Sequence, residues 1–179
     1  MSNSVNLALI GASGVVGKKI LKVIENKKIP IDNFYPIGNS SVGSEVFFNN
    51  EKYTISDLDS FDRSKINIAI FSAGSKVARK YAQSFVDENI YVIDMSSEFR
   101  YQENIPLVIP EINNESIENL KNPSLISNPN CSVSQLLLAI HPIHGQFKIN
   151  FINVATYQAV SGTGKDAISE LENQLSGLE

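Results

Sequence analysis

The sequence has one cysteine, Cys131, and only two histidines, His141 and His144. A single cysteine excludes an internal disulfide and a zinc site built from several thiolates. Two histidines are too few for a metal site of another kind, so the sequence predicts no bound metal.

Basic runs and long apolar runs are also missing. The chain has 15 Lys and Arg against 19 Asp and Glu, a formal net charge of −4, which argues against nucleic acid as the main partner. No apolar run is long enough to cross a bilayer, and the first residues lack the basic start and apolar core of a signal peptide. These absences predict a cytoplasmic protein with no membrane partner.

The composition that remains is that of a globular protein. The 179 residues are 42% hydrophobic and 19% charged, which is enough for one domain, or for one domain and part of a second.

The first structural unit is a strand, a glycine turn and a helix. An apolar run at residues 5–10 predicts a buried parallel strand, and apolar residues at helical spacing follow the turn. Between them stand Gly11, Gly14 and Gly17, a G-x-x-G-x-x-G variant of the dinucleotide-binding pattern. Glycine is needed where the chain turns sharply and where backbone approaches pyrophosphate. We therefore predict dinucleotide binding; a merely tight turn is the alternative.

The loop after the second predicted strand, residues 34–37, bears on which dinucleotide binds. Residues 38–43 carry no carboxylate to hold a ribose 2′-hydroxyl, and Glu45 is the first acid after the strand. The hydroxyl-rich Ser40 and Ser41 would not repel a 2′-phosphate, so the loop favours NADP, although no Lys or Arg pairs with that phosphate. An ordinary polar turn is the alternative.

Alternation of strands and helices continues and predicts a doubly wound parallel sheet. We expect a hairpin within 46–62, strands at 66–71, 90–93 and 106–111, a helix at 76–88, and a polar helix or turn at 114–122. The small-residue turn Ser72, Ala73 and Gly74 would let a cofactor pass over the sheet edge. Arg100 is a candidate anion clamp or, alternatively, a paired surface arginine.

The stretch around Cys131 carries the candidate nucleophile. The cysteine follows an Asn-Pro-Asn turn and opens an apolar helical run, predicted to end at His141 because Pro142 follows. The helix dipole and unpaired N–H groups at a helix start favour the thiolate, and the Asn130 amide is placed to stabilise an oxyanion. A buried free cysteine is the alternative.

A new unit begins after this helix. Residues 147–157 predict a long strand, residues 158–164 a loop, and residues 165–178 an amphipathic helix. Gln158 is a candidate for holding a substrate, and the backbone at Ser161 and Gly162 is a candidate ligand contact. These elements are too few to close a core, so we expect the chain to be a truncated product or an N-terminal piece.

Together these segments resemble bacterial aspartate-semialdehyde dehydrogenases. The matching stretches are GASGVVG, FSAGSKVARKYA, VIDMSSEFRY, PLVIPEIN, SNPNCSVSQLLLAI and TYQAVSGTG. The resemblance implies a Rossmann-like NAD(P)-binding domain at 1–130 and the truncated start of an α+β catalytic and dimerisation domain at 131–179. It implies NADPH-dependent reductive dephosphorylation of L-aspartyl 4-phosphate to aspartate 4-semialdehyde. That step serves lysine, diaminopimelate, threonine and methionine biosynthesis, in a homodimer or homotetramer.

The resemblance also assigns roles to residues. It implies that Cys131 forms an acyl thioester, that Asn130 holds the carbonyl oxygen, that Gln158 contacts the substrate and that Arg100 binds the phosphate. With the glycine loop and the small-residue turn, the expected cofactor contacts are Gly11, Ser13, Gly14, Val15, Val16, Gly17, Ser40, Ser41, Ser72, Ala73, Gly74, Ser161 and Gly162.

Two departures from the family pattern affect the expected cofactor preference and the expected turnover. Ser40 stands where family members usually have an arginine, which weakens the case for strict NADP preference. The family's catalytic histidine and second substrate-binding arginine come later than residue 179, so we expect at most weak turnover from this chain. The alternatives are N-acetyl-γ-glutamyl-phosphate reductase, which does the same chemistry on a longer acyl phosphate, and a non-catalytic nucleotide-binding or dimerisation module.

Overall fold

A parallel sheet of six strands forms the centre of the protein. The computed structural model describes residues 4–120 and 122–177. The strands of this sheet are β1 Asn6–Ile10, β2 Asn33–Gly38, β5 Ser56–Asp57, β6 Ile68–Phe71, β7 Tyr91–Asp94 and β8 Leu125–Ser127. Their order is β5-β2-β1-β6-β7-β8, and every pairing is parallel.

The helices are α1 Val15–Lys27, α2 Ser75–Asp87, α3 Pro110–Asn113, α4 Glu115–Glu118, α5 Cys131–Phe147 and α6 Lys165–Leu175, with 3₁₀ turns at Arg63–Lys65 and Val160–Thr163. Helix α1 packs on one face of the sheet and α2 on the other. None of the helices in the described part of the chain combines the length and apolar character that a bilayer crossing requires.

Alternation along β1 divides the core into two layers. Leu7 and Leu9 face α1, where Leu21 and Ile24 pack, whereas the neighbouring strand residues face α2 and its Phe85. Successive side chains of a strand point to opposite faces, so a strand buried on both sides is apolar throughout. The predicted doubly wound Rossmann-like sheet is confirmed.

The hairpin predicted within 46–62 is also confirmed. It consists of β3 Glu45–Phe48 and β4 Glu51–Thr54, paired antiparallel. Asn49 and Asn50 form the turn, with φ values of 50° and 64°. Asparagine tolerates positive φ better than most residues, and two-residue hairpin turns require it. The hairpin packs Phe48 against Phe34 on the α1 face, with ring centroids 4.8 Å apart.

Three local predictions are wrong. Residues 147–157, predicted as a strand, contain none: Phe147 ends α5 and residues 148–157 have no regular structure, because a strand needs a hydrogen-bonded neighbour and the described residues provide none there. Helix α5 does not end at His141 but runs through Pro142 to Phe147; the missing proline N–H removes one helical hydrogen bond without stopping this exposed helix. The predicted strand at 106–111 is a single bridge between Leu107 and Ser127, and α3 starts at Pro110.

The buried core ends before the cysteine. Strand β8, which the sequence reading missed, is buried at all three residues, and none of the described residues from 131 onward is buried. The division of the chain into domains at residue 130 stays a prediction.

Candidate active site

Predicted site residues line two clefts in the described part of the chain, and the first of these lies at the carboxyl ends of β1, β2 and β6. Its volume is about 280 Å³, and its lining is Ile10, Gly11, Ser13, Gly14, Gly38, Asn39, Ser40, Ser41, Ser72, Ala73 and Val77. The chain leaves β1 toward β2 on one side and returns to β6 on the other, so the cleft opens at the point where the strand order reverses. Ligands of doubly wound sheets bind at this point.

Glycine is required in the loop that borders this cleft. Gly11 has φ +88°, and a Cβ atom there would be 2.9 Å from the carbonyl carbon of Ser72. The close approach brings the turns after β1 and β6 together, and the Ser72 hydroxyl donates to the Ile10 carbonyl at 2.9 Å. Gly17 does not line the cleft; it is buried where α1 packs on the turn.

The start of α1 offers hydrogen-bond donors to an anion. Its N-cap is Gly14, which has no side chain to bond the first N–H groups, and its first turn has no acidic residue. Val15 and Val16 lie in that turn with exposed side chains, so their contribution to a ligand is the backbone N–H. Gly74 holds the corresponding N-cap position of α2 with φ +85° but does not line the cleft.

The loop after β2 forms the opposite wall. Ser41 is fixed because its carbonyl accepts hydrogen bonds from the Ser44 hydroxyl and N–H, at 2.6 and 3.1 Å. Ser40 and Ser41 both line the cleft, and their contact with a cofactor stays a prediction. The described lining residues carry no charged side chain, so this wall offers neither a carboxylate for a ribose nor a cation for a 2′-phosphate.

The second cleft contains the cysteine. Its volume is about 530 Å³, and it is lined by Cys131, Ser132, Gln135, Leu136, Val154, Thr156, Tyr157, Gln158, Ala159, Ser161 and Gly162. It therefore brings together Cys131 and Gln158, which lie 27 positions apart in the sequence. Ser161 and Gly162, expected at the cofactor, lie in this cleft and not among the residues that line the first one.

Cys131 is the first residue of α5 and is exposed. The alternative of a buried free cysteine is therefore wrong. Asn130 is the N-cap, and its side-chain oxygen accepts from the Ser132 N–H at 2.9 Å, which leaves the amide NH₂ for another acceptor. The first turn of α5 contains no acidic residue. The start of α5 therefore offers partial positive charge and unpaired N–H groups to an anion bound beside Cys131.

Arg100 is not among the residues that line either cleft. Its Nε donates to the carbonyl of Asn128 at 3.0 Å, and one terminal nitrogen donates to the carbonyl of Met95 at 3.3 Å. Asp94, at the end of β7, is fully buried. Burial raises the pKa of Asp94, and hydrogen bonds from Ser96 and the positive charge of Arg100 oppose that rise.

Several lining residues were missed from the sequence. Ser132 and Gln135 follow Cys131 by one and four positions, so helical spacing alone could have found Gln135 on the cysteine's side of α5. Thr156 and Tyr157 precede Gln158 in a segment assigned to a strand, and the matching stretch TYQAVSGTG was the only signal that marked them. Both histidines lie in α5, but neither lines the cysteine cleft, and His141 is not the helix-end or loop residue that was expected.

Comparison with known proteins identifies the family of this chain. The sequence model for "Semialdehyde dehydrogenase, NAD binding domain" matches residues 6–120, and that for "Semialdehyde dehydrogenase, dimerisation domain" matches residues 140–179. The chain belongs to the semialdehyde dehydrogenase family. Within it, the chain is 45% identical over 179 residues to the aspartate-semialdehyde dehydrogenase of Shewanella violacea and 45% identical to that of Legionella pneumophila.

Solved structures agree. The aspartate-semialdehyde dehydrogenase II of Vibrio cholerae superposes with a TM-score of 0.93 at 40% identity, covering 98% of this chain and 53% of that one. A second structure, of the same enzyme complexed with ASA, gives a TM-score of 0.91. The alignment with the Shewanella violacea enzyme covers 99% of this chain and 53% of the relative. The chain thus spans about half the length of the curated relatives it matches.

Proposed function

We propose that this semialdehyde dehydrogenase chain carries the nucleophile for NADPH-dependent reductive dephosphorylation of L-aspartyl 4-phosphate to aspartate 4-semialdehyde. The observation that carries the proposal is the exposed Cys131 at the start of α5, in one cleft with Gln158. The names of the relatives, and the Vibrio cholerae structure complexed with ASA, support the substrate class. A cytoplasmic role in lysine, diaminopimelate, threonine and methionine biosynthesis belongs to the same proposal.

The first cleft fits a nicotinamide dinucleotide. Gly11 lets the turns after β1 and β6 come together at the border of the cleft, and the uncapped start of α1 supplies N–H groups to a pyrophosphate. The uncharged wall at Ser40 and Ser41 accepts a 2′-phosphate without repulsion. When bound, the reduced dinucleotide supplies the hydride for the reduction.

The cysteine cleft would carry out acyl transfer. The Cys131 thiolate attacks the acyl carbon, the carbon–oxygen bond to phosphate breaks, and phosphate leaves with the bonding electrons. The Asn130 NH₂ group stabilises the carbonyl oxygen while Gln158 holds the amino-acid part. After the thioester carbon has been reduced, the carbon–sulfur bond breaks, which frees the aldehyde and restores the thiolate. Binding of phosphate by Arg100 would use those guanidinium donors that are not committed to backbone carbonyls.

A single-turnover experiment tests this proposal. The chain is mixed with L-aspartyl 4-phosphate, and released phosphate and the intact mass of the protein are followed. We expect a phosphate burst that is stoichiometric with Cys131, together with an acyl adduct that hydroxylamine removes. Cys131→Ser should show neither, and N-acetyl-γ-glutamyl phosphate should acylate far more slowly. A wild-type chain without burst or adduct contradicts the proposal and favours a non-catalytic module.

We expect steady-state turnover by this chain to be weak. None of the described residues that line the cysteine cleft is a histidine or a carboxylate, and general acid–base help is worth about 10²–10⁴-fold in rate. Efficient NADP reduction with aspartate semialdehyde and phosphate would contradict this expectation.

A homodimer or homotetramer also belongs to the proposal. The dimerisation-domain match covers residues 140–179, and within it Phe147, Phe151 and Tyr157 are 76%, 82% and 103% exposed. Large exposed apolar side chains in one region are typical of subunit contacts. Sedimentation of the protein at several concentrations tests this part.

A further inference from the structure

The side chain of Arg100 joins the loops that leave two neighbouring strands. It stands in the loop after β7 and donates from Nε to the Asn128 carbonyl, in the turn after β8, at 3.0 Å. A terminal nitrogen reaches the Met95 carbonyl of its own loop at 3.3 Å. A guanidinium has separated donors in a rigid plane and can bridge two carbonyls in this way, whereas a lysine has one compact ammonium.

Asn128 makes two further hydrogen bonds besides the one that its carbonyl accepts from Arg100. Its N–H donates to the Asp94 carbonyl at 2.8 Å, and its side-chain amide donates to the Pro129 carbonyl at 2.9 Å. Three residues later the chain becomes α5, with Asn130 as the cap. The turn that delivers Cys131 to the start of the helix is therefore fixed by backbone contacts to the β7 loop.

The β7 loop is itself anchored at several points. The buried carboxylate of Asp94 accepts from the N–H and hydroxyl of Ser96 at 3.1 and 2.7 Å. The Ser96 hydroxyl oxygen accepts from the Glu98 N–H at 3.1 Å. Glu98 in turn accepts two hydrogen bonds from Arg79 of α2, at 2.6 and 2.8 Å. The hydrogen bonds among Asp94, Ser96 and the Glu98 N–H do not involve Arg79, so they hold the loop for Arg100 even where the exposed Arg79 pair is lost.

We propose that Arg100 is a positioning residue for Cys131: it locks the turn at 128–130, so that the first turn of α5 presents its N–H groups and the thiol together to the cleft. This role rests on the proposed function, because it matters to chemistry only if Cys131 is the nucleophile. It differs from phosphate binding, because it depends on the two-carbonyl geometry of a guanidinium and not on positive charge alone.

The test compares Arg100→Lys and Arg100→Gln with Arg79→Gln, a matched loss of an arginine at the other anchor of the same loop. Two measurements are made on the full chain: the rate of Cys131 alkylation by iodoacetamide at neutral pH relative to its maximum at high pH, and hydrogen exchange in residues 128–134. In both Arg100 variants we expect Cys131 to be alkylated about two- to fivefold more slowly at neutral pH, which is the factor that a helix-end interaction supplies. We also expect the amide hydrogens of residues 128–134 to exchange faster.

Arg79→Gln should behave like the wild type in both measurements. Asn128→Gly keeps Arg100 and its charge but frees the backbone of the turn, so it should reproduce the slower alkylation even if an Arg100 variant folds poorly. Wild-type rates in Arg100→Lys would show that charge alone suffices and would overturn the positioning role, as would wild-type rates in both Arg100 variants. Either result leaves acylation of the wild type intact, whereas a wild type that takes up no acyl group overturns both proposals.

Discussion

Gly17 lies so close to the Gly11 carbonyl oxygen that a Cβ atom at position 17 would be 2.3 Å from it. The same added atom would be 2.9 Å from the Cα atom of Ala12. Helix α1 can pack against the turn after β1 only because this position has no side chain. The third glycine of the pattern therefore supports the cofactor loop through packing and does not line the cleft.

Gly17→Ala should destabilise the nucleotide-binding half of the chain. The neighbours are backbone atoms, which cannot rotate away, so α1 must shift outward; overpacking of this kind costs about 1–3 kcal/mol or more. We expect a lower urea midpoint and weaker binding of NADP to the first cleft, measured by calorimetry.

Gly145→Ala is the matched control for that variant. Gly145 is also helical, in α5, but an added Cβ atom would have no atom within 4 Å. Alanine in a helix is favoured over glycine by about 1 kcal/mol, so this variant should leave α5 unchanged or more helical by circular dichroism. Equal destabilisation by both substitutions would show that the contact between Gly17 and Gly11 is not the cause.

Most of the sheet could be predicted from the sequence because its strands are apolar on both faces and glycine or asparagine turns separate them. Strand β8 was missed because three residues before Asn128 give no periodicity. Beyond Cys131 the predictions failed for a different reason. Residues 147–157 have strand composition, but a strand also depends on a neighbour, which composition does not encode. Local rules likewise ended α5 at Pro142, although an exposed helix tolerates one missing hydrogen bond.

The candidate site was predicted unevenly. Cys131 at a helix start follows from its local sequence, and so do the glycine turn and the Ser40 loop. Cys131 and Gln158 line one cleft, a tertiary arrangement that only the family resemblance indicated. The resemblance also assigned Ser161 and Gly162 to the cofactor, and whether they contact it stays a prediction. The backbone contacts of Arg100 could not be foreseen, because carbonyl positions in two loops have no signature in the sequence.

Substitutions of Asn130 should separate its capping role from its proposed contact with the acyl oxygen. Asn130→Ala removes the acceptor for the Ser132 N–H, which costs about 1 kcal/mol of helix-end stability and should raise amide exchange at Ser132 roughly fivefold. Asn130→Ser keeps an acceptor but loses the NH₂ group. It should therefore preserve the exchange rates and still slow the phosphate burst. A normal burst in Asn130→Ser would remove Asn130 from oxyanion stabilisation.

The pair of Arg79 and Glu98 should make stability depend on pH. Hydrogen bonds from Arg79 hold the pKa of Glu98 below its ordinary value, and the charge of Arg79 adds to the effect. A carboxyl group whose pKa is lower in the folded state stabilises the fold above its unfolded pKa and loses that effect as the pH falls through the folded value. The urea midpoints of wild type and Glu98→Gln should therefore converge as the pH falls from neutral through the lowered pKa of Glu98.

Arg79→Gln should converge with the wild type over the same range, and the double variant should match either single one at neutral pH. Added salt should shrink the difference, since the Arg79 side chain is 71% exposed. A gap between wild type and Glu98→Gln that does not change with pH would mean that packing, not charge, accounts for the effect of Glu98.

Ser40 should control the choice between NADP and NAD. Its wall of the first cleft has no charged side chain among the described residues, so we expect measurable binding of both dinucleotides. Ser40→Arg adds a guanidinium that can pair with a 2′-phosphate, and a charge-assisted hydrogen bond is worth about 1.5–3 kcal/mol. NADP affinity measured by calorimetry should therefore rise roughly tenfold or more, with little change for NAD.

Ser40→Asp should have the opposite effect, because its carboxylate repels the 2′-phosphate and can accept from a free ribose hydroxyl. Ser44→Arg, outside the lining, is the control for added charge alone; if it shifts the preference as strongly as Ser40→Arg, position 40 does not discriminate between the dinucleotides.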